Sequence, residues 1–336
     1  MAQACDLIDR SDIDQKANQI VDISGWPIYG DYEVFPEGAR DKSLRISPNP
    51  SPYSFCLSGH RYLFKEAIKS ARNPGQPRHP DQYWAELIAF RIGRLMGLTL
   101  PPVFIAIDSS REEPGTISEW FMDYPQSKDE RYSAGGDFMQ RHISEYDRQK
   151  GRQHNLSKIL ALGRRLAQRN QLTHDWQSYW GFCLCFDALI GNTDRHQENW
   201  GVIWSSDDSR ARFTPYFDNG TSLGHELQSK KMQNMMHNPH EFDAYLTRGK
   251  HQMRWSKNAP NRLPLIEGVA SYCSRYPKVK PALIESLSGW KEEALETILQ
   301  SFTRFDIPQP FTQQRAEFVA YLTLKRRERL LRALEN

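Results

Sequence analysis

Three polar residues, Asp194, Asn199 and Asp218, have the types and spacing needed to handle a phosphate group. Asp194 and Asn199 lie five residues apart in a short polar segment that follows an apolar one, which is the spacing of a kinase catalytic loop. In such a loop the aspartate accepts the proton of the acceptor hydroxyl and the asparagine carbonyl binds Mg²⁺. The sequence therefore predicts Asp194 as the catalytic residue and Asn199 as a metal ligand.

A second carboxylate is needed for the cation that bridges the phosphates, and Asp218 is the candidate. It follows the strand candidate 212–217, and Gly220 just after it allows the chain to turn. Asp and Asn are also the commonest turn residues, so either segment alone is equally well explained by turn formation. Their order along the chain, after the apolar helix candidate 177–190, favours a metal-dependent phosphoryl-transfer site.

The phosphates of ATP also require a cation further upstream, and the predicted pair is Lys65 with Glu86. Lys65 ends the strand candidate 61–65, and Glu86 lies on the helix candidate 81–96. A strand lysine fixed by a helix glutamate is the arrangement that kinases use to hold these phosphates. The alternative is an unrelated surface lysine and surface glutamate.

Two further segments could complete the nucleotide site, and neither is specific on its own. The strand candidate 116–121 ends where a kinase hinge offers backbone groups to adenine, at Glu119 and Phe121, although a plain core strand explains it as well. A charged turn lies further upstream and contains Gly38, Ala39, Arg40 and Lys42. This turn could cover the phosphates, although the chain has no G-x-G-x-x-G or Walker A motif, and an ordinary surface turn is the alternative.

The elements predicted around these residues divide the chain into two parts. Short strands and one helix dominate up to about residue 122, and helices dominate after it. The strand candidates are 32–35, 61–65, 103–107, 116–121 and 203–204, and the helix candidates are 81–96, 156–169, 177–190 and the tail from 281 onward. The predicted fold class is α+β, a two-lobed protein-kinase-like fold with a strand-rich N-lobe at 1–122 and a helical C-lobe at 123–336.

Three further polar stretches carry none of the predicted site residues and are interpreted separately. The segment 124–153 is charged and contains glycines, which favours surface loop with short helices. The segment 223–255 follows Asp218 and contains lysines and arginines, so it is either a substrate-binding segment beside the acceptor cleft or a plain surface loop. The basic run at 325–329 is interpreted as the solvated face of an amphipathic helix.

Composition excludes several classes of protein. The chain has 336 residues with 44 basic and 41 acidic side chains, and its net charge of +3 gives no general attraction for nucleic acid. No apolar run approaches the roughly 20 residues that span a bilayer, and the N-terminal sequence lacks a signal-peptide pattern. The five scattered cysteines fit reduced, buried thiols. We therefore expect a cytoplasmic protein with neither a membrane nor a direct nucleic-acid partner.

The segment 186–199 resembles the HipA-like kinases of bacteria. It reads Phe-Asp-Ala-Leu-Ile-Gly followed by Asn-Thr-Asp-Arg-His-x-x-Asn. Other parts are similar to the family in the same order, namely 38–42 to its phosphate loop, 63–65 to its lysine strand, Glu86 with 98–101 to its helix and exit, 118–121 to its hinge, and 215–218 to its metal strand. The resemblance implies a two-lobed kinase-like fold, ATP and Mg²⁺ as cofactors, phosphorylation of Ser or Thr in a protein substrate, and a toxin held by a small DNA-binding antitoxin.

Two other functions stay open on the sequence alone. The loop at 194–199 is also similar to that of phosphoinositide kinases, so the site does not separate a protein acceptor from a lipid or small-molecule acceptor. A nucleotide-binding pseudokinase is the third alternative. Its hallmark is the loss of a magnesium or proton-transfer residue, and Asp194, Asn199 and Asp218 are all present.

Overall fold

A strand-rich part and a helical part follow one another along the chain. The computed structural model describes residues 10, 13–30, 42–66, 78–122, 124, 129–144, 146–148 and 154–335. The strand candidate 32–35 and the predicted phosphate-loop residues Gly38, Ala39 and Arg40 lie outside these ranges. Within the described residues, no helix combines the length and the apolar character needed to cross a membrane.

The first part contains a five-stranded sheet with the order β1-β4-β5-β3-β2. Its strands are β1 (Val21–Asp22), β2 (Lys42–Ile46), β3 (Arg61–Glu66), β4 (Val103–Asp108) and β5 (Glu113–Glu119). Strand β1 runs parallel to β4, and the other neighbours are antiparallel. The predicted strands 61–65 and 103–107 are confirmed, whereas the strand predicted at 116–121 begins earlier and ends at Glu119.

The register of this sheet sorts its side chains between two faces. Ser118 on β5 lies opposite Leu63 on β3 and Val103 on β4, so these three residues share one face. Lys65 lies two residues after Leu63 and therefore points to the same side. Glu119 and its partner Tyr62 point to the other side. The sheet thus presents Lys65 on one face and buries Glu119 behind the other.

Helix α1 (Gln82–Leu95) crosses between β3 and β4 and is buried from Gln82 to Gly93. A helix that is buried nearly all round must pack on both sides. One side covers strands β4 and β5, and the other contacts the C-terminal helices. The predicted C-terminal glycine is confirmed, because Gly97 follows the helix in the left-handed conformation with φ 71°. Packing of α1 on both sides therefore places Glu86 inside the molecule.

The second part is mainly helical and contains two small sheets. Its elements are β6 (Arg131–Ala134), α2 (Gly135–His142), α3 (Leu156–Gln168), α4 (Trp176–Ile190), β7 (Gly201–Trp204), β8 (Ala211–Phe213), α5 (Ser229–His237), α6 (Pro239–Arg248), β9 (Lys250–Arg254), β10 (Arg262–Pro264), α7 (Leu265–Arg275), α8 (Lys280–Ser288), α9 (Glu292–Phe302) and α10 (Gln313–Glu335). Strands β6, β7 and β8 form an antiparallel sheet, and β9 pairs with β10. Helices α3 and α4 confirm the predictions for 156–169 and 177–190.

Helix α2 confirms the short helix predicted within 124–153, but that stretch also contains a strand, and the surface-loop alternative for 223–255 is wrong. Strand β6 lies within 124–153 and pairs with β7, which a sequence without alternating apolar residues did not signal. Helices α5 and α6 and strand β9 occupy most of 223–255. These helices are polar overall, but their few apolar side chains pack as a cluster against α10. That cluster contains Met232, Met235, Phe242, Leu246, Phe318 and Leu322.

The interpretation of the basic run at 325–329 as a solvated face is also wrong in part. Arg326 is 5% exposed, and its Nη1 donates to the Ile190 carbonyl at 2.9 Å, at the end of α4. Arg327 lies over the ring of Trp290 at 4.1 Å and donates to two backbone carbonyls. Only part of the run faces water, because α10 packs against α4, α7 and α9 along its length.

Candidate active site

The lysine, the glutamate and one aspartate predicted for the site meet between the two parts. The Nζ atom of Lys65 lies 2.9 Å from Oδ1 of Asp218 and 3.6 Å from Oε2 of Glu86. Strand β3 supplies the lysine, helix α1 supplies the glutamate, and the segment after β8 supplies the aspartate. The side chains of Lys65 and Glu86 are 5% and 3% exposed, whereas Asp218 is 25% exposed at the edge of the cleft. The structure therefore brings together three residues that are far apart in sequence.

The backbone at Asp218 is held in an unusual conformation. Its φ of 57° lies in the left-handed region, which costs free energy for a residue other than glycine. The next residue, Asn219, donates its backbone N–H to Oε1 of Glu86 at 3.0 Å, and its side-chain amide donates to the Tyr216 carbonyl at 2.9 Å. These contacts fix Asp218 relative to helix α1. Such strain is typical of residues that are positioned for a ligand.

The predicted catalytic loop begins where helix α4 ends. Gly191 terminates α4 with φ 72°, and Asn192 accepts the backbone N–H of Asp194 at 2.9 Å. The Asp194 side chain is half-buried, and the Nδ2 atom of Asn199 donates to the Asp194 carbonyl at 2.7 Å. Their own loop therefore holds Asp194 and Asn199 together, with Asp194 half-buried and Asn199 buried.

One buried guanidinium, that of Arg195, holds the catalytic loop and the metal segment together. Its Nη2 and Nε donate to Oδ1 and Oδ2 of Asp187 on α4, at 2.6 and 3.1 Å. Its Nη1 donates to the carbonyls of Asn199 and Phe217 at 3.0 and 2.5 Å, and Nη2 also reaches Oδ1 of Asn219 at 2.7 Å. Arg195 thus contacts one predicted metal ligand directly and both neighbours of the other.

Charge compensation inside the protein keeps this guanidinium ionised. Burial acts against the charge of Arg195, but the adjacent carboxylate of Asp187 outweighs burial and raises the pKa of the guanidinium. The two side chains are 1% and 0% exposed, so they form a fully buried ion pair. The sequence analysis assigned neither residue a role. The available signal was an aspartate inside an apolar helix, which requires a buried partner.

A cleft lies between the sheet and the second part, directly beside Lys65. Its volume is about 620 Å³, a figure that includes open solvent at its mouth. The lining is mostly apolar with Lys65, Glu86 and Asp218 at one end. The remaining lining residues are Lys42, Leu63, Phe90, Leu100, Pro101, Val103, Ser118, Glu119, Trp120, Phe121, Tyr132, Tyr216, Phe217 and Asn219. An apolar cleft with charged residues at one end suits a nucleotide, which has an apolar base and charged phosphates.

The predicted hinge residues border this cleft in different ways. The ring of Phe121 stacks on Trp120 and packs on Phe217, with centroid distances of 4.6 and 5.1 Å. The carboxylate of Glu119 faces away and accepts hydrogen bonds from the hydroxyls of Tyr62 and Tyr124, both at 2.9 Å. Burial raises the pKa of this carboxyl, and the two tyrosines and Arg10 act against that shift. The side chain of Glu119 is therefore not directed at the cleft, and its backbone N–H donates to the Pro102 carbonyl at 2.8 Å.

The predicted phosphate loop can be followed only at its end. Lys42 is the first residue of β2, lies opposite Lys65 in the register of β2 and β3, and lines the cleft. Gly38, Ala39 and Arg40 precede it outside the described residues. The strand pairing thus brings the end of the predicted loop beside the predicted ATP lysine.

The side-chain oxygen atoms of Asn199 and Asp218 are of the type that binds a hard divalent cation. Within the described part of the chain, Oδ1 of Asn199 is buried and has no hydrogen-bond partner. A buried acceptor without a donor is costly unless a ligand satisfies it. Amide and carboxylate oxygens are the ligands that Mg²⁺ prefers. Asn199 and Asp218 could therefore hold a magnesium ion, with Arg195 fixing the backbone at or beside each of them.

Comparisons with known proteins agree with this architecture. The family described as HipA-like C-terminal domain matches residues 36–270. Among solved structures, the proinflammatory kinase CtkA of Helicobacter pylori is similar with a TM-score of 0.67 at 14% identity, covering 94% of this chain and 96% of that chain. That likeness shows a shared kinase fold, in agreement with the predicted fold class. No sequence among the curated proteins matches the chain.

Two other solved structures are similar over most of the chain at lower scores. HipA of Shewanella oneidensis MR-1, in a complex with HipB and operator DNA, has a TM-score of 0.45 at 13% identity, covering 92% of this chain and 67% of that chain. The Golgi casein kinase with Mn/ADP bound has a TM-score of 0.42 at 10% identity, covering 89% and 71%.

Proposed function

Because the chain belongs to the HipA-like C-terminal domain family, we propose that it is an ATP- and Mg²⁺-dependent kinase that phosphorylates Ser or Thr in a protein substrate. The observation that carries this proposal is the contact of Lys65 with both Glu86 and Asp218 at the charged end of an apolar cleft. The arrangement supplies one cation for the phosphates and one carboxylate for the metal. Kinase catalysis depends on such positioning more than on covalent chemistry.

In this proposal the adenine occupies the apolar part of the cleft. The backbone of Trp120 is already used, because its N–H donates to the Arg61 carbonyl at 2.9 Å and its carbonyl contacts Nε2 of His60 at 2.8 Å. The N–H of Glu119 is also used, since it donates to the Pro102 carbonyl at 2.8 Å. The expected adenine contacts are therefore the Glu119 carbonyl and the backbone groups of Phe121. Lys65 then directs its charge to the phosphates, and Lys42 with the preceding Gly38, Ala39 and Arg40 covers them.

The reacting end of the site uses the two aspartates differently. Bound Mg²⁺ would neutralise charge on the phosphates, and Asn199 and Asp218 are the residues that would hold it. Asp194 lies on a loop whose backbone is fixed by Asn192 and Asn199, and in this proposal its carboxylate orients the acceptor hydroxyl and accepts its proton. Because Asp194 is half-buried at the surface, a side chain of another protein can reach it.

Several finer assignments rest on family membership. We propose that the acceptor is a serine or threonine, that the protein acts as a toxin held by a small DNA-binding antitoxin, and that it works in the cytoplasm. We also propose the lobe boundary between residues 122 and 123. This boundary follows the end of β5 at Glu119 and precedes β6.

Labelling with radioactive ATP tests the proposal. The purified chain is incubated with γ-labelled ATP, Mg²⁺ and a whole-cell lysate, and the labelled molecules and residues are identified. We expect label on serine or threonine of one or a few proteins, and none with the variant Asp194→Asn. Label confined to the lipid fraction would instead support a lipid kinase, and equal labelling by native and variant chains would refute the assigned site.

A further inference from the structure

A single arginine at the start of α10 joins three segments around the nucleotide site. The Arg315 side chain is 4% exposed, and its Nη2 lies 2.5 Å from Oδ2 of Asp81. The same guanidinium donates from Nη1 to the Gly224 carbonyl at 2.9 Å and from Nη2 to the Leu227 carbonyl at 2.6 Å. One buried cation therefore connects α10, the residue before α1 and the segment that follows Asp218.

Both segments that Arg315 contacts carry parts of the site. Asp81 immediately precedes helix α1, which carries Glu86. Its carboxylate makes no capping hydrogen bond to the helix, so its role in the described structure is the contact with Arg315. The segment at 224–227 continues from Asp218 and Asn219, and the backbone of Asn219 already donates to Glu86. Arg315 thus connects the start of the helix that carries Glu86 with the segment that follows Asp218.

The chain just before α10 reinforces the same end of helix α1. The Tyr83 hydroxyl and the Trp84 Nε1 both donate to the Gln309 carbonyl, the latter at 2.9 Å. The Trp84 ring packs among Phe302, Phe305 and Phe311, with centroid distances of 5.3 to 6.1 Å. These contacts leave helix α1 little freedom to move away from the cleft.

We propose that Arg315 is a positioning residue that holds the Glu86 helix and the Asp218 segment at the separation that nucleotide binding needs. Contacts from α10 would then hold helix α1 in the position that the site needs, without a ligand or partner having to move it there. This inference rests on the proposed function, because its readout is ATP binding. Arg315 lies outside the matched family residues 36–270. The several N–H groups of its guanidinium suit it to contact one carboxylate and two carbonyls at once.

Four variants of the full chain test the role of Arg315. Arg315→Met removes all three contacts at similar length, and Arg315→Lys keeps a charge for Asp81 without the guanidinium. Asp81→Asn keeps an acceptor but removes the charge. Arg332→Met is the matched control, because Arg332 lies on the same helix, is 69% exposed and pairs with Glu328 one turn away. Each variant is measured for Mg²⁺-dependent ATP affinity and for ADP release, at a temperature where circular dichroism shows it folded.

For Arg315→Met we expect ADP release at saturating ATP to fall about 10- to 100-fold, the range that a misplacement of about 1 Å produces. Arg315→Lys should recover only part of this loss. For Asp81→Asn, ADP release should fall about 3- to 10-fold, since a hydrogen bond to a neutral acceptor is roughly half as strong. The control Arg332→Met should release ADP at the native rate.

Two results would contradict the inference, and they differ from each other. Native affinity and native turnover in Arg315→Met, Arg315→Lys and Asp81→Asn, with only a lower melting temperature, would show that Arg315 is merely structural while the proposed function stands. Should Arg315→Met fail to fold, the other two variants give the same decision. Absence of Mg²⁺-dependent ATP binding by the native chain would refute the proposed function and this inference together.

Discussion

The catalytic half and the nucleotide half of the site are held together in different ways. In the catalytic half, residues 187–219 surround the buried guanidinium of Arg195, which donates to Asp187, Asn199, Phe217 and Asn219. In the nucleotide half, Lys65 reaches across 153 positions of sequence to contact Asp218. The catalytic half is built from residues close in sequence around the buried charge of Arg195. The nucleotide half forms only when two distant parts of the chain pack together.

This difference indicates which half responds to a ligand. The ion pair between Arg195 and Asp187 is fully buried and would stay the same whether or not nucleotide is bound. Lys65 instead contacts a carboxylate that is proposed to bind magnesium, and Asp218 is 25% exposed. On the proposed function, nucleotide and metal would rearrange the contacts of Lys65 while the catalytic half serves as a fixed frame.

The largest effect on stability is expected in the catalytic half. Arg195→Met removes one partner of a buried ion pair and leaves Asp187 uncompensated, so the free energy of unfolding should fall by about 3–5 kcal/mol. Denaturant unfolding measures this change. Arg131→Met is the matched control, because Arg131 pairs with Asp208 and both are 57% exposed, and it should cost less than about 1 kcal/mol.

A second substitution separates the two roles of Arg195. In the double variant Arg195→Met with Asp187→Leu, no buried charge is left alone, so much of the stability should return. Mg²⁺-dependent ATP binding should not return, because the backbones of Asn199 and Phe217 still lack their donor. Full recovery of both properties would mean that the frame does not position the metal ligands.

In the nucleotide half, a mutation should affect activity more than stability. Lys65→Met is expected to fold, to bind ATP weakly and to lower phosphate transfer by about 10²–10³-fold, which is typical for the loss of one preorganised donor. Transfer and calorimetric ATP binding measure the effect, with the exposed Lys325→Met as control. Undiminished transfer by folded Lys65→Met would reject Lys65 as the ATP lysine.

A further predicted effect is a gradual pH dependence of stability that both halves share. Behind the hinge, burial lowers the pKa of His60 to about 4, and behind the catalytic loop, burial with nearby His196 lowers the pKa of His154 to about 3. An unfolded histidine binds its proton near pH 6.5, so the unfolded chain gains protons first as the pH falls. The free energy of unfolding should therefore decrease below pH 6.5, by about 1.4 kcal/mol per pH unit for each histidine.

The variant His154→Gln isolates one of these contributions. His154 accepts a hydrogen bond from Nε1 of Trp200 at 3.0 Å, and the glutamine oxygen can replace that acceptor without titrating. The slope of unfolding free energy between pH 6 and 4 should become shallower by about 1.4 kcal/mol per pH unit. The exposed His237→Gln should leave the slope unchanged. An unchanged slope in His154→Gln would contradict the buried, neutral state of this histidine.

The same contrast explains how much of the molecule could be predicted from sequence. The spacing of Asp194 and Asn199 sits within one loop, so it is visible without a structure. The pairing of Lys65 with Glu86 was predicted from a strand followed by a helix, and the fold brings the two side chains together. The two-lobed α+β class followed from the order of strand and helix candidates.

Other features depend on contacts that no local pattern encodes. Arg195 was passed over because its partners lie before and after it at separations of 4 to 24 residues, and only the fold assembles them. Helices α5 and α6 were not predicted, and the sequence of their stretch fits either a substrate-binding segment or a surface loop. Their apolar residues are sparse, and only the fold shows that they pack against α10. Arg326 was interpreted as part of a solvated face and Arg315 was assigned no role, although packing of α10 buries both.

The central claim is that Asp218 holds the metal while Asp194 acts on the acceptor hydroxyl, and calorimetric titration of ATP with and without Mg²⁺ tests it most directly. We expect Asp218→Asn to lose the gain in ATP affinity that Mg²⁺ provides, because a hard cation prefers carboxylate to amide oxygen. Asp194→Asn should keep that gain and lose about 10²–10⁴-fold in turnover. If Asp194→Asn loses Mg²⁺-dependent binding while Asp218→Asn keeps both binding and turnover, the two roles are reversed and the account fails.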